Sequence, residues 1–306
     1  MPLLGKASLG RLVASAGRFL RSAPRGRRVL WLQHPGYYPH ARGLPREALV
    51  YDCMDPFAAF QKTAAWAPQA EDALLRDAGV AFTGGRALHA AREGKSERLH
   101  CFPSGIDFAH FASAAGEGPV AEELRALPKP VLGYIGAVDE RIDWCVVEAL
   151  CDAVPGGAVV FIGPVLEGAR PLPERPNLHV AGGRPYERLP EFLRGLDACL
   201  IPWKVNELTK FMSPTKTPEY LASGRPVVST PIPDVVGDYG GDVLIAESPG
   251  DFAAACLRAL DAVEHRRNDA ADGSGVHRTV AVSATFLIHR PDVHTGAAAN
   301  AVQRLA

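Results

Sequence analysis

The chain has 306 residues, of which 47% are hydrophobic and 22% charged, and 33 Lys and Arg against 34 Asp and Glu leave a net charge of −1. It is too long for one minimal domain and apolar enough for two ordinary cores, and its charge gives no global pointer to nucleic acid. The six cysteines (Cys53, Cys101, Cys145, Cys151, Cys199, Cys256) are scattered without a C-x-x-C pair, which excludes a disulfide frame and a zinc ribbon and fits reduced, mostly buried thiols.

The chain opens on a basic segment: Lys6, Arg11, Arg18, Arg21, Arg25, Arg27 and Arg28 come before any acid. Leu9, Leu12, Val13, Phe19 and Leu20 give the same segment an apolar side. A solvated helix face, a surface that docks on an anionic membrane and a targeting signal are all compatible with this pattern. No stretch approaches the roughly 18 apolar residues of a membrane span, and residues 1–20 lack an uninterrupted apolar run before a cleavage site. The expected location is cytoplasmic, with peripheral contact at the inner membrane face left open.

Short apolar, β-branched runs follow at 29–32, 48–51, 80–83 and 99–102, and again at 131–135, 158–162, 178–180, 198–201, 227–229 and 243–245. They read as strands buried on both faces. The stretches 144–153, 189–196 and 252–263 have helical spacing, so the chain alternates β and α in the manner of doubly wound α/β domains with parallel sheets. Gly116, Gly118, Pro119, Pro128 and Pro130 punctuate an Ala- and Glu-rich stretch, and the expected linker is 113–130. The first domain, 1–112, then holds four strands. It opens on a helix-like segment where a nucleotide-binding fold opens on a strand and glycine-rich turn, so it is expected to be incomplete. The second domain spans 131–263. Residues 264–306 are expected to be an irregular tail: 268–275 is polar and Gly-rich, four of the ten histidines (His265, His277, His289, His294) fall in it, and no closing helix is legible.

The densest signal is the run from Ser213 through Pro214, Thr215, Lys216, Thr217, Pro218, Glu219 and Tyr220 to Gly224 and Pro226. A helix starts within it, capped either by Ser213 with Pro214 at its first position or by Thr217 with Pro218 there, and Gly224 closes it. Because this helix follows an apolar strand, its free N–H groups face the carboxyl edge of a parallel sheet, where anionic ligands bind. Lys216 adds a positive charge, and Glu219, on the same helical face, offers a carboxylate to ribose hydroxyls. The same two residues also fit an exposed ion pair.

This run resembles the donor-binding helix of the retaining, GT-B-fold glycosyltransferases of family 4, with their P-x-K-x-x-E-Y-L-A-x-G-x-P-V-V pattern. Tyr51-Asp52-Cys53-Met54-Asp55 resembles their Y-D-x-x-D, and Pro103-Ser104-Gly105-Ile106-Asp107 with Phe111 resembles N-G-V-D-x-x-x-F. Gly133-Tyr134-Ile135-Gly136 resembles the strand and glycine turn that open their second domain. Asn177 to Gly182 with Tyr186, Leu189 and Pro190 resembles the next piece in order. The resemblance covers about residues 29–263 and implies a GT-B-like α/β architecture of two Rossmann-like domains, the first on the acceptor side and the second on the donor side. It implies transfer of a hexosyl group, with retention, from a nucleotide-diphosphate sugar to a glycan or lipid-linked acceptor of the cell envelope. No metal and no cofactor are called for.

On that resemblance the donor lies against Gly136, Arg141, Pro214, Thr215, Lys216, Glu219 and Tyr220, with Arg141 and Lys216 on the diphosphate and Glu219 on the ribose. His34, at a strand end, corresponds to a histidine that the family points toward the transferred sugar; a hydrogen-bonded structural role suits it too. Asp52 and Asp55 read either as paired carboxylates or as turn and cap residues. Three departures stand out. The first glutamate of the family's E-x7-E falls on Phe211, leaving Asn206 or Glu207 as substitutes; Ser104 replaces asparagine; and the opening strand and glycine turn are missing. The competing expectations are therefore a working transferase, a nucleotide-sugar-binding remnant of one, and an epimerase on the same fold.

Overall fold

The computed structural model describes residues 6–22, 26, 28–57, 67–103, 105–167, 169 and 171–271. Ser104 and residues 272–306, with the expectation of an irregular tail there, lie outside the described residues. The described chain forms two units: residues up to 103 together with 211–213, and residues 105–210 together with 214–271.

The first unit runs α1 (Lys6–Ser22), β1 (Val29–Leu32), α2 (Tyr38–Ala41), β2 (Ala48–Cys53), α3 (Ala67–Asp77), β3 (Val80–Thr83), α4 (Arg86–Ala90) and β4 (Leu99–Cys101). Its four strands are parallel and lie in chain order, with Val29 opposite Ala48, Val50 opposite Val80 and Ala81 opposite Leu99. The two-residue period of β2 sorts the core. Leu49, Tyr51 and Cys53 pack with Leu32, Ala81, Leu74, Leu75 and Leu88 on one face, while Val50 joins Val80 and Phe82 on the other. Each fully buried leucine contributes about 1.5–3 kcal/mol of burial. One ion pair is drawn into this core: buried Glu71 accepts from the Tyr51 hydroxyl at 3.0 Å and from buried Arg92 at 3.0 and 3.2 Å, so its desolvation is met by hydrogen bonds.

The second unit runs α5 (Phe108–Ala112), α6 (Glu122–Arg125), β5 (Val131–Ile135), α7 (Trp144–Ala153), β6 (Ala158–Ile162), β7 (Leu178–Val180), α8 (Leu189–Gly195), β8 (Ala198–Ile201), α9 (Lys216–Ala222), β9 (Val227–Ser229), α10 (Pro233–Tyr239), β10 (Leu244–Ile245) and α11 (Pro249–Ala271). The strand order is β10-β9-β8-β5-β6-β7, all parallel, so the chain winds outward from β5 in one direction and then returns to wind outward in the other. That reversal is the doubly wound topology, and its switch point lies between β5 and β8. β5, β6 and β8 are buried along their whole length, which explains their continuous apolar runs.

Three boundaries differ from the sequence expectation, the first being the domain end: residues 105–112, with α5, belong to the second unit and not to the first domain. Residues 113–130 are not a free linker. Ala114, Ala121 and Leu124 are buried, and Arg194 of α8 donates to the carbonyls of Ser113, Gly116 and Pro119, which ties the stretch to the second unit. The expected irregular stretch from 264 also begins too early: α11 continues to Ala271, while Phe252, Ala255, Cys256 and Ala259 form its buried stripe.

Candidate functional site

At the switch point the loops after β5 and β8 are zipped together. Ile142 bridges Trp203, Lys204 N–H donates to the Arg141 carbonyl at 2.7 Å, and Asp143 N–H donates to the Pro202 carbonyl at 2.8 Å. Gly136, the first residue after β5, has φ of +151°. A Cβ there would lie 2.7 Å from Lys216 Nζ and 3.0 Å from the Tyr134 hydroxyl, so the position needs glycine for both backbone and space. Arg141 is held by Asp139, its Nε donating to Oδ1 at 2.9 Å and its guanidinium to Oδ2 at 2.5 Å. The guanidinium also lies over the Trp203 ring, 4.7 Å from its centre.

Helix α9 delivers Lys216 and Glu219 to the same edge. It starts at Lys216, with Thr215 at its cap position and no side-chain capping bond, so neither Ser213 nor Thr217 serves as the expected cap. Thr217 N–H already bonds the Pro214 carbonyl at 3.1 Å, which puts the first turn ahead of Pro218. Pro218 then falls among the first-turn residues whose N–H groups have no intrahelical partner in any helix. Gly224, at φ +73°, ends the helix as the sequence implies. Pro214 is buried and Thr215 half-buried beside it. Tyr220, expected at the donor, is buried; its hydroxyl accepts from Ile135 N–H at 2.7 Å and lies 3.2 Å from the Ile135 carbonyl, to which it donates. Tyr220 therefore locks α9 to β5 from within the core, with its side chain buried away from a ligand at the sheet edge.

Burial lowers the pKa of Lys216, with Glu219 opposing the shift and Arg141 adding to it, while Asp139 opposes it as well. Burial likewise raises the pKa of Glu219 against the pull of Lys216, a hydrogen bond with the Thr215 side chain and the field of His110. Desolvation thus outweighs mutual attraction in both groups. The reading of Lys216 and Glu219 as an exposed ion pair does not describe them. Beside Glu219, the His110 ring stacks on Tyr186 with centroids 4.4 Å apart, and His110 Nε2 lies 3.0 Å from the Tyr186 carbonyl.

Gly136, Arg141, Thr215, Lys216 and Glu219 therefore gather at one sheet edge of the second unit, whereas His34 belongs to the first. Its Nδ1 accepts from Gly36 N–H at 2.9 Å as the cap of a short 3-10 turn, and its ring packs 4.4 Å from Phe57. Burial lowers its pKa, with Asp55 opposing. Asp52 accepts from Trp31 Nε1 at 3.2 Å, the contact of a strand tether. Phe211 packs on the first unit's core with Arg92 5.9 Å from its ring centre. Asn206 spends its side-chain oxygen on the N–H groups of Leu208 and Thr209, and Glu207 pairs with Lys210 at 2.5 Å. Asp139 and Trp203 escaped the sequence reading, and Tyr134 entered it only as part of a strand, although Asp139 stands two residues before Arg141 and an aromatic follows Pro202 just past β8. Among the described residues no group of three or more His, Cys, Asp or Glu is placed to hold a metal ion, and no helix is long and apolar enough to cross a membrane.

Residues 129–262 match the family model of the Glycosyl transferases group 1. The chain is 24% identical over 261 residues to TuaH of Bacillus subtilis, named as a teichuronic acid biosynthesis glycosyltransferase; the match takes in 78% of this chain and spans 65% of that protein's length. Among solved structures, sucrose-phosphate synthase from Thermosynechococcus elongatus superposes with a TM-score of 0.69 at 15% identity, covering 100% of this chain and 82% of its own. The UDP-forming α,α-trehalose-phosphate synthase of Burkholderia vietnamiensis gives 0.66 at 14% identity, with 98% and 80% covered. Anabaena HepE, solved in complex with UDP, gives 0.56 at 15% identity, with 100% and 80% covered. At such identities the likeness is one of fold: α/β with parallel sheets, as in the GT-B glycosyltransferases.

Proposed function

Starting from a chain whose residues 129–262 match the group 1 glycosyltransferase model, we propose that the protein is a retaining glycosyltransferase. It moves a hexosyl group from a nucleotide-diphosphate sugar to a glycan or lipid-linked acceptor of the cell envelope. The observation that carries this reading is the meeting of Arg141 and Lys216 beside the Gly136 turn, with Glu219 on the same short helix. The diphosphate takes the two cations and the ribose takes Glu219. As the bond from the anomeric carbon to the diphosphate oxygen breaks and an acceptor hydroxyl oxygen replaces it, its proton passing to the departing diphosphate, negative charge collects on that leaving group. Arg141 and Lys216 are already in place to meet that charge. The naming of TuaH for teichuronic acid biosynthesis supports an envelope polymer as acceptor, and the UDP complex of HepE supports a uridine nucleotide.

Calorimetry with UDP and GDP in metal-free buffer tests the reading. Saturable binding of one of them at or below about millimolar Kd is expected, and no heat with either at millimolar ligand would refute it. The packing of Phe211 into the first unit favours a second reading, a nucleotide-sugar-binding remnant without turnover. Sugar transfer to envelope lipid or glycan extracts separates the two, since a remnant binds the nucleotide and transfers nothing.

A further inference from the structure

We propose that Trp203 and Tyr134 are positioning residues that fix the two candidate diphosphate cations relative to each other, an inference that rests on the donor reading above. The Arg141 guanidinium sits over the Trp203 ring at 4.7 Å, and Lys216 Nζ lies 5.6 Å from the centre of the Tyr134 ring. The two rings are joined: Trp203 Nε1–H donates to the Tyr134 hydroxyl at 3.3 Å, and that hydroxyl donates in turn to the Ala137 carbonyl at 3.2 Å, one residue past Gly136. Both aromatics are buried and backed by further contacts. Phe161 packs 5.4 Å from Tyr134, Ile142 bridges the Trp203 backbone, and Thr230 Oγ1 donates to the Trp203 carbonyl at 2.6 Å. Two cations, Arg141 on the loop after β5 and Lys216 at the start of α9, therefore stand on one interlocked base.

Arg and Lys are both long side chains with many rotamers to lose, and two like charges brought together repel. Asp139 already pairs with Arg141 and offsets part of its charge, and a further carboxylate beneath both cations would cancel the positive potential that an anionic ligand needs. An aromatic face attracts a cation while adding no net charge, so the potential stays available. Asp139 sets the plane of the guanidinium through its paired contacts, and the planar stack on Trp203 cannot be reproduced by an ammonium group.

The test is calorimetry with UDP and GDP on the whole chain and its Trp203→Leu, Trp203→Phe, Arg141→Ala and Arg141→Lys variants, with thermal unfolding measured on each. Trp203→Leu should weaken binding about tenfold, and Trp203→Phe, which keeps a ring face, should recover most of it. Arg141→Lys should lose nearly as much as Arg141→Ala. In the Trp203→Leu background Arg141→Ala should cost far less than in the wild type, a coupling that a merely structural tryptophan would not produce. Should Trp203→Leu fail to fold, Tyr134→Phe replaces it, with a severalfold loss of affinity expected from cutting the link between the rings. Additive losses, or an Arg141→Lys variant that binds like the wild type, overturn the inference while leaving the donor reading intact. A wild type that binds neither nucleotide removes both.

Discussion

Lys216 and Glu219 are each pushed toward neutrality by burial, which has opposite consequences for binding and for stability. A diphosphate needs Lys216 charged, and its lowered pKa means that affinity falls as pH rises through that value. Ribose contacts need Glu219 ionised, and its raised pKa means that affinity falls as pH drops through it. Affinity for UDP plotted against pH is therefore expected to form a bell, with limbs of up to about tenfold per pH unit. In Glu219→Ala the acid limb contributed by this carboxylate should vanish, with titration of the nucleotide itself cancelling in the comparison. At neutral pH the same variant should bind more weakly by about 1.5–3 kcal/mol, the range for hydrogen bonds to a charged group. For folding the sign reverses: a lysine lowered and a carboxylate raised both cost stability at neutral pH, so Glu219→Ala removes one such cost while withdrawing the field that supports Lys216, and Tm should change little. Calorimetry across the pH range with a melting curve checks all of this, and an unchanged Kd at neutral pH removes Glu219 from the ribose.

Among the elements, β5 and α9 depend on one hydroxyl. β8 pairs with β5 only at Leu132 and Gly133, so the carboxyl end of β5 leaves Ile135 facing α9, and Tyr220 takes up both backbone groups of Ile135. Tyr220→Phe leaves a buried N–H without its partner and should cost about 1–3 kcal/mol in chemical denaturation. UDP affinity should fall as well, because the helix carrying Lys216 loses its tether. The elements differ in how readily they can be read. β5, β6 and β8 are legible because they are buried on both faces, and α7 because its apolar spacing is helical. The end of α11 is not, since its last turns carry charged and alanine residues with no apolar period. The Gly- and Pro-rich stretch before β5 reads as a linker, since nothing local reveals that Arg194 answers three of its carbonyls. In the site, Lys216 and Glu219 follow from a helix start in the sequence. The seat of Arg141 does not, because Trp203 and Tyr134 look like any core aromatics until their partners are known.

Over the whole molecule, charge is unevenly distributed. Basic and acidic residues nearly balance, yet the first 28 residues hold seven of the cations and no acid, so the rest is correspondingly acidic. Part of that basic segment is α1, a helix with Arg11 and Arg18 exposed and Phe19 70% exposed beside them. Such a surface should favour a membrane bearing anionic lipid. The protein is expected to cosediment with vesicles containing phosphatidylglycerol but not with pure phosphatidylcholine, and to be released as salt rises from about 0.05 M to about 0.5 M. Arg11→Glu with Arg18→Glu should abolish the association while leaving UDP binding unchanged, since both lie outside the second unit, which carries the proposed donor site. Equal sedimentation with both vesicle types, or none with either, would count against it.

The contact between the turns after β5 and β6 reaches further than its size suggests. A Cβ on Gly163 would run into the Gly136 carbonyl, and Gly136 in turn lies against the Lys216 side chain. In genetic terms, Gly163 should therefore behave as an essential position although it carries no side chain and no charge. A saturation screen that scores sugar transfer would find it as intolerant as Lys216, and a lysine-to-methionine change and a glycine-to-alanine change would share one phenotype for unrelated reasons: the first removes a charge, the second moves the floor on which that charge rests.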